Sequence, residues 1–256
     1  MSGTSAVASL VLALRFLTIV PVPGGRTSEG PAALGRAAWW FPPVGLALGL
    51  VLAGAELGLR LVFPPLLAAM LVVTLWKVLT GGLHLDGLAD CLDGLAGRDA
   101  AQRLAIMRDS RIGVLGAVGL ILAVLLSLVA LAELPGPART PALLLAPVVG
   151  RLAPLLAGAV FPAATPSTGS GDAFMASLPR AAGLLHAAVV LTLGGVLLGP
   201  RGVAMVMTGL VVAMMWSAFL VRRLGGMTGD GLGAGVELAE LGVLLAAAAQ
   251  APLTGG

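Results

Sequence analysis

The sequence predicts an all-α integral membrane protein, and three observations support that class. Of its 256 residues, 58% are hydrophobic and 11% are charged, with a mean hydropathy of +1.04, whereas soluble domains carry about 25% charged residues. Several apolar runs reach about 20 residues, the length that crosses a hydrocarbon core. They lack the alternation that marks the strands of a membrane barrel. We therefore expect a polytopic bundle of six to seven transmembrane helices in one membrane-embedded domain, residues 1–256.

The N-terminal third should contain one shorter helix and the first two spans. Residues 1–22 are apolar around Arg15, whereas a secretory signal carries its positive charge ahead of the apolar core. We therefore expect a retained helix that is interfacial or partly buried, followed by a short polar connection at 26–36. Spans are expected at 39–61 and 64–83, and Lys77 near the end of the second span is expected to extend to the interface. The acidic residues that come next should continue the second span as one helix.

Proline and glycine divide the rest of the chain into further helices. We expect spans at residues 114–134, 141–161, 181–198 and 203–221 and a last helix at 234–249. The Pro-Gly-Pro sequence at 135–137 should form a turn, because proline does not continue a helix. A loop rich in proline, serine, threonine and glycine should occupy 162–180, and a glycine-rich turn should occupy 225–231.

The most unusual polar residues are three aspartates within a short stretch, Asp86, Asp90 and Asp93. On a helix their spacing of four and then three residues places them on one face. Carboxylates on one face repel one another, and beside a membrane they also carry a desolvation cost. A bound Mg²⁺ reduces the repulsion and offsets the desolvation cost. This ion typically binds a few carboxylates together with substrate phosphates. The spacing therefore predicts a Mg²⁺ site; the alternative is a solvated face paired with Arg98 and Arg103.

The arginines indicate which side of the membrane this site faces. If the acidic stretch is cytoplasmic and the spans alternate, most arginines fall inside and few fall outside. The inside set is Arg26, Arg36, Arg98, Arg103, Arg108, Arg111, Arg180, Arg222 and Arg223, and the outside set is Arg60, Arg139 and Arg201. Cytoplasmic loops usually carry the excess of positive residues. We therefore expect the acidic site to face the cytoplasm, together with regions 84–112, 162–180 and 222–237.

Several further residues are candidates for the same site. Guanidinium groups bind phosphate oxygens through paired hydrogen bonds, so the charged region near the aspartates suits a phosphate-bearing substrate. The predicted phosphate contacts are His84, Arg98, Arg108, Ser110, Arg111 and Arg151. Asp230, Glu237 and Glu240 are predicted as supporting acids, because carboxylates in an apolar segment are costly. The alternative for Arg151, in mid-span, is an ion pair with an acid, and for His84 it is an ordinary buried histidine.

Three stretches of the sequence resemble a known family as a set. The first is GGLHLDGLAD at 81–90 with Asp93-Gly94, followed by IMRDSRIG at 106–113. The second is GGMTGD at 225–230 with Gly233, Ala234, Glu237 and Glu240, and the third is RFLT at 15–18 with PVP at 21–23. Together they resemble the cobalamin synthase family, the cobalamin-5′-phosphate synthases, along nearly the whole chain.

The resemblance implies the last step of cobalamin assembly, in the bacterial cytoplasmic membrane. In this step adenosylcobinamide-GDP reacts with α-ribazole or its 5′-phosphate, GMP leaves, and Mg²⁺ is required. The predicted metal ligands are Asp86, Asp90 and Asp93, and the candidates for accepting the hydroxyl proton are Asp109 and Asp93. The implied partners are these substrates and the lipid bilayer, with no nucleic acid, and the oligomeric state is left open.

Two other functions compete with this interpretation. Asp90-x-x-Asp93-Gly94 is similar to part of the CDP-alcohol phosphotransferase signature, although the later Asp-x-x-x-Asp of that signature is absent. A phospholipid synthase of that type would share the metal chemistry but not the substrate. A cation- or proton-coupled transporter would need acids spread through the depth of the bilayer, whereas most of the acids here are predicted at one face.

Overall fold

The computed structural model describes residues 3–22, 31–164 and 170–249. These residues form twelve α-helices, with a 3₁₀ turn at Ala38–Trp40 between the second and the third. The helices are α1 Gly3–Leu17, α2 Pro31–Ala37, α3 Phe41–Leu59, α4 Pro65–Leu79, α5 Leu83–Gly94, α6 Ala100–Met107, α7 Val114–Glu133, α8 Gly136–Val160, α9 Ser170–Ala176, α10 Arg180–Leu198, α11 Pro200–Leu224 and α12 Gly229–Ala249. The predicted all-α class is confirmed.

Among the described residues, six helical segments are long and apolar enough to cross a membrane. They are Ala32–Leu59, which runs through α2 and α3, and helices α7, α8, α10, α11 and α12. Helices α4 and α5 add a seventh crossing if they are counted as one broken span. Helix α1 is shorter, with Ala13 and Leu17 buried and Val7 and Phe16 exposed. The predicted six to seven spans and the partly buried N-terminal helix are thus confirmed.

Helices α8 and α12 form the centre of the bundle. Helix α8 is largely buried although Pro141, Pro147 and Pro154 lie inside it, and neighbouring helices make such prolines tolerable in a membrane bundle. Gly45 of α3 is one reason why the packing is close, since a Cβ there would lie 2.5 Å from the Pro147 carbonyl oxygen. Small residues of this kind let membrane helices approach each other at backbone distance. The centre of the bundle is therefore closely packed.

The acidic stretch does not continue the second span, and this prediction is wrong. Helix α4 ends at Leu79, helix α5 begins at Leu83, and their axes differ by 88°. Gly81 and Gly82 between them have positive φ values of +61° and +69°, a left-handed conformation that only glycine adopts without cost. Two successive glycines in this conformation end one helix and redirect the next. The turn from residue 80 to residue 82 is called the bend below.

Several predicted loop boundaries also need correction. The connection at 26–36 includes α2 from Pro31, and the loop at 162–180 includes α9; residues 23–30 and 165–169 lie outside the described residues. The predicted turn at 135–137 is the start of α8, because proline is tolerated in a first turn, where its missing N–H has no helical partner. Helix α12 likewise begins at Gly229, so Asp230 belongs to a helix and not to the preceding turn.

Backbone contacts gather the predicted site regions at one end of the bundle, called the acidic end below. Ala164 N–H donates to the Met227 carbonyl and Met227 N–H donates to the Pro162 carbonyl, both at 2.8 Å. The Arg103 side chain donates to the Arg223 carbonyl at 3.0 Å. The loop after α8, the segment before α12 and the α5–α6 region are therefore neighbours, as the alternation of spans predicts.

Candidate active site

Helix α5 presents its acids on the side that faces away from the core. His84, Leu88 and Cys91 are buried against the bundle, while Asp86 is exposed and Asp90 is half-buried. Cys91 packs in an apolar cluster. The helix is amphipathic because its buried positions recur every three to four residues. The predicted acidic face is therefore present and accessible.

Asp93 has a different environment from the other two aspartates. Its carboxylate accepts hydrogen bonds from Gly113 N–H at 2.7 Å and from Gly116 N–H at 2.8 Å. Gly113 directly precedes α7 and Gly116 lies in its first turn, where N–H groups have no partner within the helix. A carboxylate there also interacts favourably with the helix dipole. Asp93 therefore joins α5 to the start of α7, and its role as a metal ligand stays a prediction.

The third acid of the accessible group is Asp230, from the start of α12. A Cβ added at Gly87 would lie 2.8 Å from the Asp230 carbonyl oxygen, so α5 and α12 touch here at backbone distance. The carboxylate of Asp90 lies within electrostatic range of Asp86 and Asp230, and Asp230 is also repelled by Asp86. We call these three residues the acidic cluster. Within the part of the chain that the structure describes, none of them forms an ion pair.

Glu237 and Glu240 lie deeper in the bundle and pair with cations. Lys77 Nζ is 2.5 Å from Glu237 Oε2 and 3.2 Å from Glu240 Oε2, and Arg151 forms an ion pair with Glu240. We call these four residues the charge network. The interpretation of Lys77 as a lysine that extends to the interface is wrong, because its side chain points inward between α4 and α12.

The placement of Arg151 favours the alternative in which this residue forms an ion pair with an acid. Its side chain is 1% exposed, and a Cβ added at neighbouring Gly150 would lie 2.8 Å from Glu240 Cγ. Glu240 thus packs directly against α8 where Arg151 emerges from it. Contact between Arg151 and a substrate phosphate stays a prediction, and it would require the network to open.

His84 lies between the acidic cluster and the charge network. It is buried beside Gly233 of α12, and it is close enough to Arg151 and Lys77 to sense their charges. Its Nδ1 atom has no hydrogen-bond partner among the described residues. The enclosed ring agrees with the structural alternative, and a phosphate or metal contact stays a prediction.

The turn between α6 and α7 carries Asp109, Ser110 and Arg111 at the surface. Arg111 Nη2 lies 2.7 Å from Asp109 Oδ2, and the Arg111 backbone N–H donates to Oδ1 at 3.0 Å. These side-chain and backbone hydrogen bonds lower the pKa of Asp109 to about 2. Asp109 is therefore ionised at neutral pH and is a weak proton acceptor there. Ser110 is exposed, and so are Arg98 and Arg108, which leaves these predicted phosphate contacts available.

Two ionic groups escaped the sequence analysis. Lys77 was assigned to the interface, and Glu56 was not singled out, yet Glu56 lies 3.9 Å from Arg60 and 3.8 Å from Arg139 at the opposite end of the bundle. The sequence contains one signal for both residues, because a charged residue within an apolar helix needs an oppositely charged partner or contact with water. The sequence does not say which of several arginines supplies that partner.

The acidic cluster fits part of a Mg²⁺ coordination shell. Among the residues that the structure describes, no three His, Cys, Asp or Glu side chains form a ready-made metal site. Mg²⁺ is usually held by one or two carboxylates and completes its shell with water and substrate phosphates. Unpaired, accessible carboxylate oxygens are therefore the donor set that such an ion requires. The residues present fit a metal that binds together with its substrate.

Comparison with known proteins decides the family. The sequence profile described as cobalamin-5-phosphate synthase matches residues 9–248. The chain belongs to this family. Members are transferases that catalyse the final step of cobalamin assembly, so this chain is an enzyme of cobalamin biosynthesis and a multi-pass membrane protein. No solved structure matches it.

Relatives from several bacteria share most of the chain. Adenosylcobinamide-GDP ribazoletransferase of Pseudomonas paraeruginosa is 43% identical over 253 residues, which cover 95% of this chain and 98% of the relative. The enzyme of the same name from Stutzerimonas stutzeri is 41% identical, with 94% and 98% covered. That of Brevibacillus brevis is 36% identical, with 91% and 94% covered. The similarity therefore includes both the acidic stretch and the start of α12.

Proposed function

We propose that this protein transfers the adenosylcobinamide-phosphate group from adenosylcobinamide-GDP to α-ribazole or its 5′-phosphate, in a Mg²⁺-dependent reaction that releases GMP. One observation carries the proposal: the acidic cluster is accessible and has no cationic partner among the described residues. Three carboxylates without a cation would repel a diphosphate. A cation that binds both removes the repulsion, and the relatives' name supplies the substrate that contains the diphosphate.

The transfer exchanges the phosphoanhydride bond of the diphosphate for a phosphate ester bond. A ribose hydroxyl oxygen other than the 5′-oxygen, which already carries phosphate in α-ribazole 5′-phosphate, bonds to the phosphorus attached to cobinamide, and the bond from that phosphorus to the GMP oxygen breaks. The hydroxyl proton passes to water or to a carboxylate. The predicted acceptors, Asp109 and Asp93, already accept hydrogen bonds from Arg111 and from the start of α7. Proton transfer to either one requires that contact to weaken.

The residues of the site have separate roles in this proposal. Asp86 and Asp90, together with Asp230, would hold Mg²⁺, while Asp93 fixes α7 against α5. When bound, the metal neutralises charge on the diphosphate and on the departing GMP. The exposed arginines of the α5–α7 region would bind phosphate oxygens at the edge of the cluster. They are Arg98, Arg108 and Arg111.

We also propose that the enzyme resides in the bacterial inner membrane with its acidic end in the cytoplasm. Two observations support this orientation. The acidic end contains Arg98, Arg103, Arg108, Arg111, Arg222 and Arg223, whereas Arg60 and Arg139 lie together at the opposite end. Positive residues accumulate on the cytoplasmic side of membrane proteins.

A reconstituted assay tests the activity. Purified protein is incubated with adenosylcobinamide-GDP and either α-ribazole or its 5′-phosphate, with Mg²⁺ or with EDTA, and cobalamin product and GMP are quantified by chromatography. We expect equal amounts of the two products with Mg²⁺ and none with EDTA. Release of GMP without a cobalamin product, or turnover of a CDP-alcohol donor instead, would contradict the proposal.

A further inference from the structure

Helix α12 contacts the chain on both sides of the bend. Before the bend, Lys77 binds Glu237 at 2.5 Å and Glu240 at 3.2 Å. After the bend, α5 packs on the first turn of α12, where Gly87 meets the backbone of Asp230. The two contacts therefore connect both arms of the bend, α4 and α5, to one continuous helix.

Local hydrogen bonds close the bend, among them Gly81 N–H to the Val78 carbonyl at 2.9 Å and Gly82 N–H to the Lys77 carbonyl at 3.0 Å. Gly81 and Gly82 form its centre, and glycine moves between backbone conformations more easily than any other residue. One backbone hydrogen bond from elsewhere in the chain, Ile19 N–H to the Leu79 carbonyl at 2.8 Å, reaches its first arm. The angle of 88° between the arms therefore depends on the tertiary contacts on either side as well as on these local bonds.

Helix α12 sets the distance between these contacts. Asp230 and Glu237 are seven residues apart, which corresponds to about 10 Å along the helix axis. Buried residues such as Val72 and Trp76 hold most of α4 in the core. If the Lys77 contact were lost, the last turn of α4 could still shift at the bend relative to α5. That shift would move Asp86 and Asp90 relative to Asp230, and the spacing of the acidic cluster would change.

We propose that Lys77 and Glu237 are positioning residues, whose ion pair holds the bend and thereby the spacing of the acidic cluster. The side chains are 13% and 5% exposed, and an ion pair removed from water is stronger than one at the surface. Neither belongs to the acidic cluster, so both act through the placement of α5 on α12. The consequence for metal binding rests on the proposed function, whereas the placement of α5 does not.

The test removes the ion pair without leaving a lone buried charge. Lys77→Met/Glu237→Gln does this, and Glu56→Gln/Arg139→Met is a matched removal at the opposite end of the bundle. Mn²⁺ binding is measured by EPR without substrate, alongside kcat and KM. We expect the first double variant to bind Mn²⁺ about ten-fold more weakly, a typical cost of disturbing the support of metal ligands. The matched variant should bind it as the parent does.

A distance measurement tests the placement of α5 on α12 independently of metal binding and turnover. Spin labels at Ala96→Cys and Gly229→Cys, which are both exposed positions, report the α5–α12 distance in a Cys91→Ala background. We expect a broader distance distribution in Lys77→Met/Glu237→Gln than in the parent. Lys77→Arg should restore both the narrow distribution and Mn²⁺ affinity, because it keeps the charge.

A milder variant covers the case in which the double variant does not fold. Glu237→Asp keeps the charge but shortens the side chain by one methylene, so it should broaden the distribution and weaken Mn²⁺ binding to a smaller extent. Parent-like distances and affinity in the folded variants would overturn the positioning role. Asp90→Asn is the separate control: if it binds Mn²⁺ normally, the metal site of the proposed function fails, and the spin-label distances alone decide the positioning role.

Discussion

Helix α12 contributes acids to two groups that lie about two helical turns apart, and their surroundings are opposite. The acidic cluster is accessible and has no cationic partner among the described residues, whereas the acids of the charge network are enclosed and neutralised by Lys77 and Arg151. A buried ion pair roughly offsets its own desolvation cost. Carboxylates left together without a cation remain destabilising. This difference agrees with the proposed function, in which the first group binds a cation and the second supports the fold.

The largest effect should come from neutralising the acidic cluster. Asp86→Asn or Asp90→Asn should lower kcat about a thousand-fold, the scale of losing a principal electrostatic contact. The unfolding temperature should stay the same or rise, because repulsion between the carboxylates is relieved. Turnover of each variant at saturating Mg²⁺, with thermal unfolding in detergent, checks both parts. Near-normal turnover would remove that residue from the metal site.

For the charge network we expect the opposite pattern, in which a single substitution lowers the stability of the protein. Arg151→Met leaves Glu240 with Lys77 alone, and breaking a buried ion pair costs about 3 kcal/mol. Arg151→Met/Glu240→Gln should recover most of the lost stability, because no unpaired charge remains. Denaturant unfolding of the three proteins measures the difference. If Arg151 also binds phosphate, KM for adenosylcobinamide-GDP will be raised in the stable double variant; equal stability of all three proteins would contradict the burial argument.

Substitution of Asp93 tests both stability, as in the charge network, and activity, as in the acidic cluster. Asp93→Ala removes the acceptor for Gly113 and Gly116, which should cost about 1 kcal/mol, as for other helix caps. Hydrogen exchange at these two amides should accelerate, because α7 would begin to fray there. Asp93→Asn keeps one oxygen acceptor but loses the charge. Full activity in Asp93→Asn would assign the residue to the cap alone, and lost activity in that stable variant would support metal binding.

The substitution with the smallest expected effect tests the orientation of the protein in the membrane. Ser110→Cys, in a Cys91→Ser background, places a thiol on an exposed turn at the acidic end and should leave the stability unchanged. An impermeant thiol reagent should label it in inverted vesicles and leave it unlabelled in intact cells. The reverse pattern would place the acidic end outside the cytoplasm.

The spans were predictable because their signal is local. An apolar run of sufficient length must cross or enter the membrane wherever its neighbours lie, and this identified α7, α10 and α11 to within a few residues. The bend escaped prediction because a helix-compatible pattern continues on both sides of it. The sequence contains Gly81-Gly82, but glycine pairs also occur within spans, as at Gly194-Gly195 in α10. Only the tertiary contacts of α5 distinguish the two cases.

The sequence was sufficient to predict which residues form the candidate site, but not which residues pair with one another. The spacing of Asp86 and Asp90 places them on one face of any helix, so their accessibility followed from the sequence. Asp230 and Glu237 belong to one motif, yet the structure directs the first to the cluster and the second to Lys77. That choice depends on how deep each turn of α12 lies, which is a property of the assembled bundle. Pairing across 160 positions of the chain has no local signal.

This separation in sequence has a consequence for biosynthesis. Lys77 leaves the ribosome 160 residues before Glu237, which at about 5–20 residues per second is a delay on the order of ten seconds. During that time a lysine in an apolar segment lacks its carboxylate, and such a residue resists stable insertion into lipid. The contacts between Lys77 and α12 can therefore form only after the C-terminal helix has been synthesised. A chain that stops before residue 237 would carry an unneutralised charge that membrane proteases and chaperones could detect.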